Sequence, residues 1–507
     1  MAQDLAGLPA VELMALYRAG ELSPVAHVEA CIAQIERVNP VINAMNATCF
    51  ARARAEAKAS EDRHRRGQAC GVLDGLSLGV KDLQPTAGLL TTMGSPVWRQ
   101  HVPKADLPMV AHLRAAGAIV LGKTNTPEHG AGGNSYNPVW GATGNPFDPN
   151  RLAGGSSGGS AAALAAGMMA LATGSDTGGS LRLPAALCGV AGFRPSPGLV
   201  PHPTRPLGWS AISVLGPMAR SLADLNLMLG VCVARDDADP LNRGVQWADP
   251  LAGEGVDLAK LRVGYSADVG GCPVEPAVRD LFMSRIARLA PQVAVCEAVD
   301  LGLGDMDACF DVLRAESFVA GFEAAYQERP ESLSADIRRN VQLGLGFGLR
   351  DRAWAHAEQS RMLRRYAALS QDYDLILAPT SPVLPFDWDV AYPEAIAGQA
   401  MDIYYRWLAL TYRPSLWGCP VLTLPCGSDA QGMPFGLQAM GRINEDAALL
   451  RAAQALEAFF ESDAQLRRPR ASVAGLQAAR RDLRAIVTHP PDGESVHAAS
   501  AAPLTAV

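Results

Sequence analysis

Two loops rich in glycine and serine contain the residues best suited to chemistry. The first, 154–160, reads GGSSGGS, and the second lies within GSDTGGSLRLPA at 174–185. Glycine lets a backbone turn through positive φ and approach a ligand closely, so two such loops joined by one alanine-rich segment are expected to border a single site. Their hydroxyl groups, above all those of Ser156 and Ser180, offer a nucleophile and a proton relay.

A serine hydroxyl is a weak nucleophile at neutral pH and needs a base within hydrogen-bond reach. Histidine is the usual base, yet of the nine histidines only His129 and His202 lie in loop-like segments near the glycine loops, and neither belongs to a catalytic motif. A lysine can replace histidine when burial favours its neutral amine. Lys81 ends an apolar, strand-like run and fits this requirement. We therefore expect Ser180 to be the nucleophile, Ser156 the relay and Lys81 the base.

The second loop also offers backbone donors. Four consecutive amides in this glycine turn can point together at one oxygen and stabilise a tetrahedral oxyanion. They belong to Thr177, Gly178, Gly179 and Ser180. Asp176 and Arg182 flank the turn with opposite charges, and an ion pair that braces the loop is favoured over a direct catalytic role.

Strands that end in polar residues must position these groups. The apolar runs 76–80 and 118–121 predict two short strands, and the alternation of strand, polar loop and helix predicts an α/β sheet with its site at strand ends. Residues 8–38 predict two amphipathic helices, with Ser23 and Pro24 at the start of the second. The stretch 128–159 is read as loop.

The second half of the chain is predicted to form the walls of the pocket and not to supply catalytic residues. Residues 220–372 are mostly helical in pattern and contain no catalytic motif, so we expect them to line a pocket and set specificity. Further strands are predicted at 262–265, 374–378, 421–424 and 435–440. Further helices are predicted after Ser221, near 276–290 and 305–327, and at 445–460.

Composition excludes several classes of protein. The net charge of −7 and the lack of a basic stripe argue against a general nucleic-acid binder. The first residues lack a signal-peptide pattern, and no apolar run is long enough to span a membrane. The ten cysteines form no metal-binding pattern, which favours free thiols in the cytoplasm and no metal site. From 468 to 507 the chain turns basic and then Ala/Pro-rich, and its last twenty or so residues are expected to be disordered.

The motifs as a set resemble the amidase signature family of serine hydrolases. Besides the two glycine loops, the chain contains GVKD at 79–82, GKTNTPE at 122–128 and GNP at 144–146. The order and separation of Lys81, Ser156 and Ser180 match that family's Ser–Ser–Lys triad. The similarity runs to about Ala458 and is strongest over 76–198. The resemblance implies a single α/β domain, here 1–467, with a mixed, twisted central β-sheet flanked by helices, and no metal or organic cofactor.

The resemblance also implies residue roles. Ser180 would be acylated, Ser156 would follow a cis peptide bond and pass protons, and Ser157 would help to hold the lysine. Backbone at 128–132 would line the substrate pocket, with His129, Gly130 and Ala131 at its surface. The position of His129 is commonly apolar or aromatic in the family, so its polar ring can bias substrate choice, although a loop histidine bonded to backbone is the simpler interpretation.

The expected activity is hydrolysis of a carboxylic amide through an acyl-serine, giving an acid and ammonia or an amine. We expect a free-standing enzyme with a small-molecule amide substrate, no nucleic-acid or membrane partner, and a homodimer as a candidate assembly. The alternative is the glutaminase-type A subunit of a tRNA-dependent amidotransferase. That type of subunit usually contains S-L-D-Q-x-G-P, whereas 211–221 reads AISVLGPMARS and lacks the Asp–Gln pair. An inactive binding scaffold is disfavoured by the intact triad.

Overall fold

An eleven-stranded sheet forms the centre of the protein in a computed structural model that describes residues 5–492. Its strands and two small ribbons are β1 (Met45–Thr48), β2 (Ser77–Lys81), β3 (Ile119–Thr124), β4 (Tyr136–Asn137), β5 (Gly141–Ala142), β6 (Leu171–Asp176), β7 (Ala191–Arg194), β8 (Val214–Ala219), β9 (Arg262–Tyr265), β10 (Val295–Ala298), β11 (Leu375–Pro379), β12 (Ala395–Ile396), β13 (Gln399–Ala400), β14 (Val421–Ser428) and β15 (Pro434–Met440).

Helices surround this sheet. They are α1 (Ala10–Ala19), α2 (Pro24–Ile42), α3 (Phe50–Arg65), α4 (Pro108–Ala115), α5 (Gly158–Ala165), α6 (Arg182–Cys188), α7 (Leu222–Cys232), α8 (Pro276–Leu289), α9 (Met306–Glu328), α10 (Ala335–Leu345), α11 (Leu349–Leu369), α12 (Ala409–Leu416) and α13 (Asp446–Ser462). The start predicted for α2 is present, because the Ser23 hydroxyl accepts a hydrogen bond from the Val25 amide at 3.0 Å.

The sheet is mixed, as predicted. Its order is β1-β3-β2-β6-β8-β7-β14-β15-β11-β9-β10. Strand β2 runs parallel to β3 and β6, and β14 pairs antiparallel with β15. Every residue of β2 and β3 is buried, which explains why these strands read as nearly continuous apolar runs. The carboxyl ends of the parallel strands β2 and β6 therefore lie together at one edge of the sheet.

Strand β8 was not predicted, because Gly216 and Pro217 interrupt its apolar run. It pairs antiparallel with β6 over six positions, from Leu171↔Ala219 to Asp176↔Val214. Its pairing with β7 on the other side stops at Met218. Pro217 thus sits where one side of the strand has no ladder partner, so its missing N–H is tolerated.

The C-terminal segment packs in part against the sheet domain. Leu483 is buried, and its carbonyl oxygen accepts a hydrogen bond from the Ala142 amide at 2.8 Å. The domain boundary at 467 stays a prediction. Most of the stretch expected to be disordered, 493–507, lies outside the described residues, as does the extreme N-terminus, 1–4. Within the described range, no helix has both the length and the apolar character needed to cross a membrane.

Candidate active site

Lys81 ends β2 and points into the interior beside the end of β6. The residue is completely buried, and its backbone amide donates to the Thr173 hydroxyl at 3.0 Å. The apolar sequence of β2 explains this placement, because a strand with both faces covered carries its last side chain into the core. The lysine predicted as a base is therefore held away from bulk solvent.

Three serine hydroxyls surround the Lys81 amine. The Nζ atom lies 2.7 Å from Ser156 Oγ, 2.8 Å from Ser157 Oγ and 3.0 Å from Ser175 Oγ. Sequence reasoning missed Ser175. Side chains two residues apart on a strand share a face, so Ser175 and Thr173 of β6 both contact Lys81. This alternation along β6 is the sequence signal that could have identified Ser175.

Burial lowers the pKa of Lys81 to about 7, although the charge of Asp176 acts in the opposite direction. Hydroxyl groups accept a hydrogen bond from the amine without supplying the negative charge that would stabilise its protonated form. A substantial fraction of the amine is therefore neutral near pH 7. In that state its lone pair can accept a proton from a neighbouring hydroxyl.

The first glycine loop brings Ser156 and Ser157 to the start of α5. The peptide bond between Gly155 and Ser156 is cis, as the resemblance implied. A Cβ atom at Gly159 would lie 2.2 Å from the Asn125 amide nitrogen, so only glycine permits this approach. The Ser157 amide donates to the Ser180 carbonyl at 3.2 Å, which ties the two loops together.

Ser180 lies two residues before α6 and lines a cavity of about 250 Å³ that Ser156 and Ser175 also line. Its side chain is partly exposed to this space. In the part of the chain that the structure describes, no hydrogen bond joins the hydroxyls of Ser180 and Ser156. The structure thus places both serines at one cavity and links only Ser156 directly to Lys81.

The second loop presents three of the four predicted oxyanion donors. The amides of Thr177, Gly178 and Ser180 have no hydrogen-bond partner among residues 5–492. The Gly179 amide is already engaged, since it donates to Asp176 Oδ1 at 2.9 Å. This differs from the predicted set because the carboxylate that braces the turn takes one of its donors.

Asp176 forms the predicted ion pair with Arg182, with 2.8 Å between Oδ1 and Nη2 and both side chains fully buried. Arg194, which was not predicted, lies 3.2 Å from the same oxygen. Burial alone would raise the pKa of Asp176, but these two guanidinium groups hold it well below its usual range. The carboxylate is therefore ionised and fixes the loop that presents Ser180.

A second support for this loop comes from helix α12. The Thr411 hydroxyl donates to the Gly178 carbonyl at 2.7 Å. A Cβ atom at Gly179 would lie 2.2 Å from Thr411 Oγ1, so loop and helix are in close contact. Sequence reasoning missed Thr411, because 233 residues separate it from Gly178 and no local pattern marks it.

The residues predicted to line the pocket divide into two groups. His129 and Gly130 line the cavity, whereas Ala131 is buried in an apolar cluster with Leu333 and Ile337. Burial lowers the pKa of His129 to about 4, so its ring is neutral at physiological pH. No ring nitrogen of His129 bonds to a described residue; the contact of the ring is with Phe322, at 4.9 Å between centroids.

Other residues of the cavity wall come from the helical region, as predicted. A loop that was not predicted to line the cavity contributes as well. Helix α9 contributes Arg314, Ser317, Phe318 and Phe322. The loop before β8 contributes His202, Thr204, Arg205, Pro206, Leu207, Ser210 and Ser213. Burial and the nearby Arg205 lower the pKa of His202 to about 4.

Comparisons with known proteins agree with this architecture. A family profile described as Amidase matches residues 26–450. The A subunit of glutamyl-tRNA(Gln) amidotransferase from Chloroflexus aggregans is 34% identical over 475 residues, covering 89% of this chain and 96% of the relative. Its counterpart from Chloroflexus aurantiacus is 32% identical over 491 residues, covering 92% and 99%. The solved structure of a bacterial aryl acylamidase of the amidase signature family superposes with a TM-score of 0.83 at 26% identity, over 98% and 99% of the two chains.

One expectation is wrong in the light of these relatives. We expected a small-molecule amide as the partner and no nucleic acid. This expectation conflicts with the relatives, which are named as the A subunit of a glutamyl-tRNA(Gln) amidotransferase. The physical reason is that the net charge of one chain does not report what the other chains of an assembly bind.

Proposed function

The chain belongs to the amidase signature family and hydrolyses carbon–nitrogen amide bonds, and we propose that it does so through an acyl intermediate on Ser180. The observation that carries this proposal is the 2.7 Å contact between Lys81 Nζ and Ser156 Oγ in a fully buried setting. A buried lysine with a pKa near 7 is suited to act as a base. Ser156 then connects this base to the cavity that holds Ser180.

In the proposed reaction, neutral Lys81 takes the proton of Ser156, and Ser156 takes the proton of Ser180 as its oxygen attacks the amide carbon. The carbonyl oxygen becomes an oxyanion, which the free amides of Thr177, Gly178 and Ser180 stabilise. The carbon–nitrogen bond breaks, and the proton returns through Ser156 to the leaving nitrogen. Water then attacks the acyl-serine by the same route and releases the acid.

The neighbouring groups act as supports in this proposal. Ser157 and Ser175 hold the amine of Lys81 in place. Asp176, paired with Arg182, fixes the turn that presents the nucleophile and its donors. Each of these residues acts through another residue and need not touch the substrate.

The curated relatives support the amidotransferase alternative better than the free-standing enzyme that the sequence favoured. We therefore propose a glutaminase-type activity, in which the amide of glutamine is cleaved and the ammonia passes to a tRNA-bound acceptor held by partner subunits. This setting is supported by identities of 34% and 32% over most of both chains.

A free-standing hydrolase stays a second candidate because of one departure. The segment AISVLGPMARS lacks the Asp–Gln pair usual in the glutaminase-type component, and Ser213 and Leu215 of this segment line the cavity. The difference therefore lies at the substrate wall. The superposition with an aryl acylamidase fits this candidate equally well.

Ammonia release by the purified chain separates the two candidates. The chain is assayed with glutamine and with a simple aryl amide, each with and without amidotransferase partner subunits and glutamyl-tRNA. A glutaminase component requires glutamine and is stimulated by the partners, whereas a free-standing hydrolase cleaves the aryl amide alone. The Ser180→Ala variant is the blank in every arm, and turnover by that variant would overturn the proposed nucleophile.

Two further expectations enter the proposal. We place the protein in the reducing cytoplasm, because all ten cysteines are free thiols and most are buried, where oxidation to disulfides would disturb the core. We also keep 1–467 as the catalytic domain and 468–507 as a tail. The family match ends at residue 450, inside that boundary.

A further inference from the structure

Arg314 is a buried cation in the cavity wall that no carboxylate neutralises directly. It lies on α9, is 7% exposed, and lines the cavity together with Ser180. Its Nη2 atom donates to the Tyr404 hydroxyl at 2.6 Å. Its Nε atom is buried without a hydrogen-bond partner, and among the described residues no acid forms an ion pair with it.

Aromatic rings surround this guanidinium. Its central carbon lies 4.7 Å from the ring centroid of Phe318, 4.9 Å from that of Tyr405 and 5.5 Å from that of Tyr404. Ring faces stabilise a cation partly, but they do not satisfy its N–H groups. The charge of Asp336 acts on Arg314 beyond ion-pair distance. Tyr404 and the rings thus engage only part of the guanidinium, and its other N–H donors have no hydrogen-bond partner among the described residues.

The charged residues of the cavity lining also favour a negatively charged ligand. Its described lining residues include Arg314 and Arg205 and no aspartate or glutamate. Arg205 is already paired with Asp239, a residue outside the lining. Arg314 is thus the arginine of this wall whose charge is left for a bound molecule, and a planar guanidinium with free N–H groups matches a carboxylate.

We propose that Arg314 binds a carboxylate of the substrate, so that the preferred amides are those that carry a carboxylate within reach of Ser180. This inference rests on the proposed function and specifies its substrate class. Arg314 acts as a specificity-determining residue, since the reacting atoms lie at Ser180 and the guanidinium holds the other end of the substrate.

A matched pair of amides tests the inference. Glutaramate and pentanamide have the same chain length, and a carboxylate in the first replaces a methyl group in the second. The unmodified chain should cleave glutaramate with a kcat/KM about 10- to 100-fold higher, because a charge-assisted hydrogen bond contributes that factor. Arg314→Met should remove this preference, mainly through a higher KM for glutaramate, and should lower the kcat/KM for pentanamide much less than that for glutaramate. Glutamine, which carries a carboxylate, should show the same loss.

Two control variants accompany the test. Arg314→Lys keeps the charge and should restore part of the preference. Arg350→Met removes an exposed charge of α11, outside the cavity lining, and should change neither substrate. Circular dichroism of each variant establishes that it has folded. Equal cleavage of both amides by the unmodified chain, or an equal loss of both in Arg314→Met, would overturn the inference and leave the amidase proposal standing.

Binding measurements separate failure of this inference from failure of the proposed function. Glutarate, the product of glutaramate hydrolysis, is titrated calorimetrically into the unmodified chain, Ser180→Ala and Arg314→Met. The first two should bind it, and Arg314→Met should bind it at least about 10-fold more weakly. Because this readout needs no turnover, equal binding by all three contradicts the carboxylate site even if the reaction assigned to Ser180 is wrong.

Discussion

Lys81 and Ser156 are 75 residues apart in the sequence, yet the lysine Nζ lies 2.7 Å from the serine Oγ. The contact joins the end of strand β2 to the loop before α5. Because the lysine is fully buried and faces hydroxyl groups, its amine is held in the state that can accept a proton. The strand end supplies the buried amine of Lys81, and the glycine loop supplies the Ser156 hydroxyl that this amine contacts.

Substitution Ser180→Ala should abolish amide hydrolysis, by at least about a thousandfold in kcat, because it removes the oxygen that forms the proposed acyl intermediate. The fold should be retained, since the side chain is partly exposed to the cavity. Ammonia release measures the loss, and mass spectrometry of the unmodified chain with a slow substrate should detect an acyl adduct that the variant lacks. Near-normal turnover in the variant would remove Ser180 from the mechanism.

The kcat/KM for an uncharged amide should rise as the pH passes through about 7 and then level off. The sign follows from Lys81, whose pKa burial lowers to about 7. Below that pH the amine is protonated and cannot act as a base, and above it the amine is neutral. A pH–rate profile that falls between pH 6 and 8 would contradict the assignment of Lys81.

Substitution Lys81→Met should remove activity and change how stability depends on pH. The pKa of Lys81 is lower in the folded state than in the unfolded chain, so the unfolded chain binds the extra proton between about pH 7 and 10. The free energy of unfolding of the parent should therefore gain a contribution that grows with pH across this window. Urea titrations at several pH values should show this contribution in the parent and not in Lys81→Met. Identical pH slopes would mean that Lys81 is not desolvated.

Substitution Asp176→Asn should destabilise the fold by about 3–5 kcal/mol, because it leaves the buried charges of Arg182 and Arg194 without their carboxylate. Urea denaturation measures the change. Asp237→Asn is a matched control, since its partner Arg235 and Asp237 itself are both highly exposed, and it should leave the midpoint unchanged. Equal midpoints for Asp176→Asn and the parent would show that the pair is not a structural brace.

Substitution Thr411→Val should lower kcat by about fivefold and leave KM nearly unchanged, because it removes a hydrogen bond worth roughly 1 kcal/mol from the Gly178 carbonyl. The effect arises from looser positioning of the oxyanion donors, not from substrate contact. Thr411→Ser keeps the hydroxyl and should retain most of the activity. A rise in KM without a change in kcat would instead place Thr411 in substrate binding.

The three residues of the proposed triad were predictable because each stands in a local motif. Ser156 and Ser180 lie in glycine loops, and Lys81 ends an apolar strand. Thr411, Arg194 and Arg314 were not predictable as site residues, since only the folded positions of α12, β7 and α9 bring them to the site. Strand β8 was missed for a similar reason. Pro217 argues against a strand in the local sequence, but the pairing with β6 stabilises one in the fold.

The partner prediction failed for a different reason. Net charge and motif content describe one chain, whereas assembly with other chains depends on surfaces that no local pattern marks.

Ala131 is a position whose surroundings in the fold do not follow from its place in the sequence. It stands next to two cavity-lining residues in the sequence, but the backbone turn at His129, with φ of 49°, directs it into the apolar cluster.

The hydrogen bond from the Ser157 amide to the Ser180 carbonyl has an evolutionary consequence. It couples the relay loop to the nucleophile loop, so a mutation that shifts one disturbs the other, and the reaction centre is constrained to vary as a unit. The cavity face of α9, with Arg314, Ser317, Phe318 and Phe322, makes no hydrogen bond to either loop among the described residues. Directed evolution for new substrates should therefore succeed most readily when diversity is confined to that one helical face.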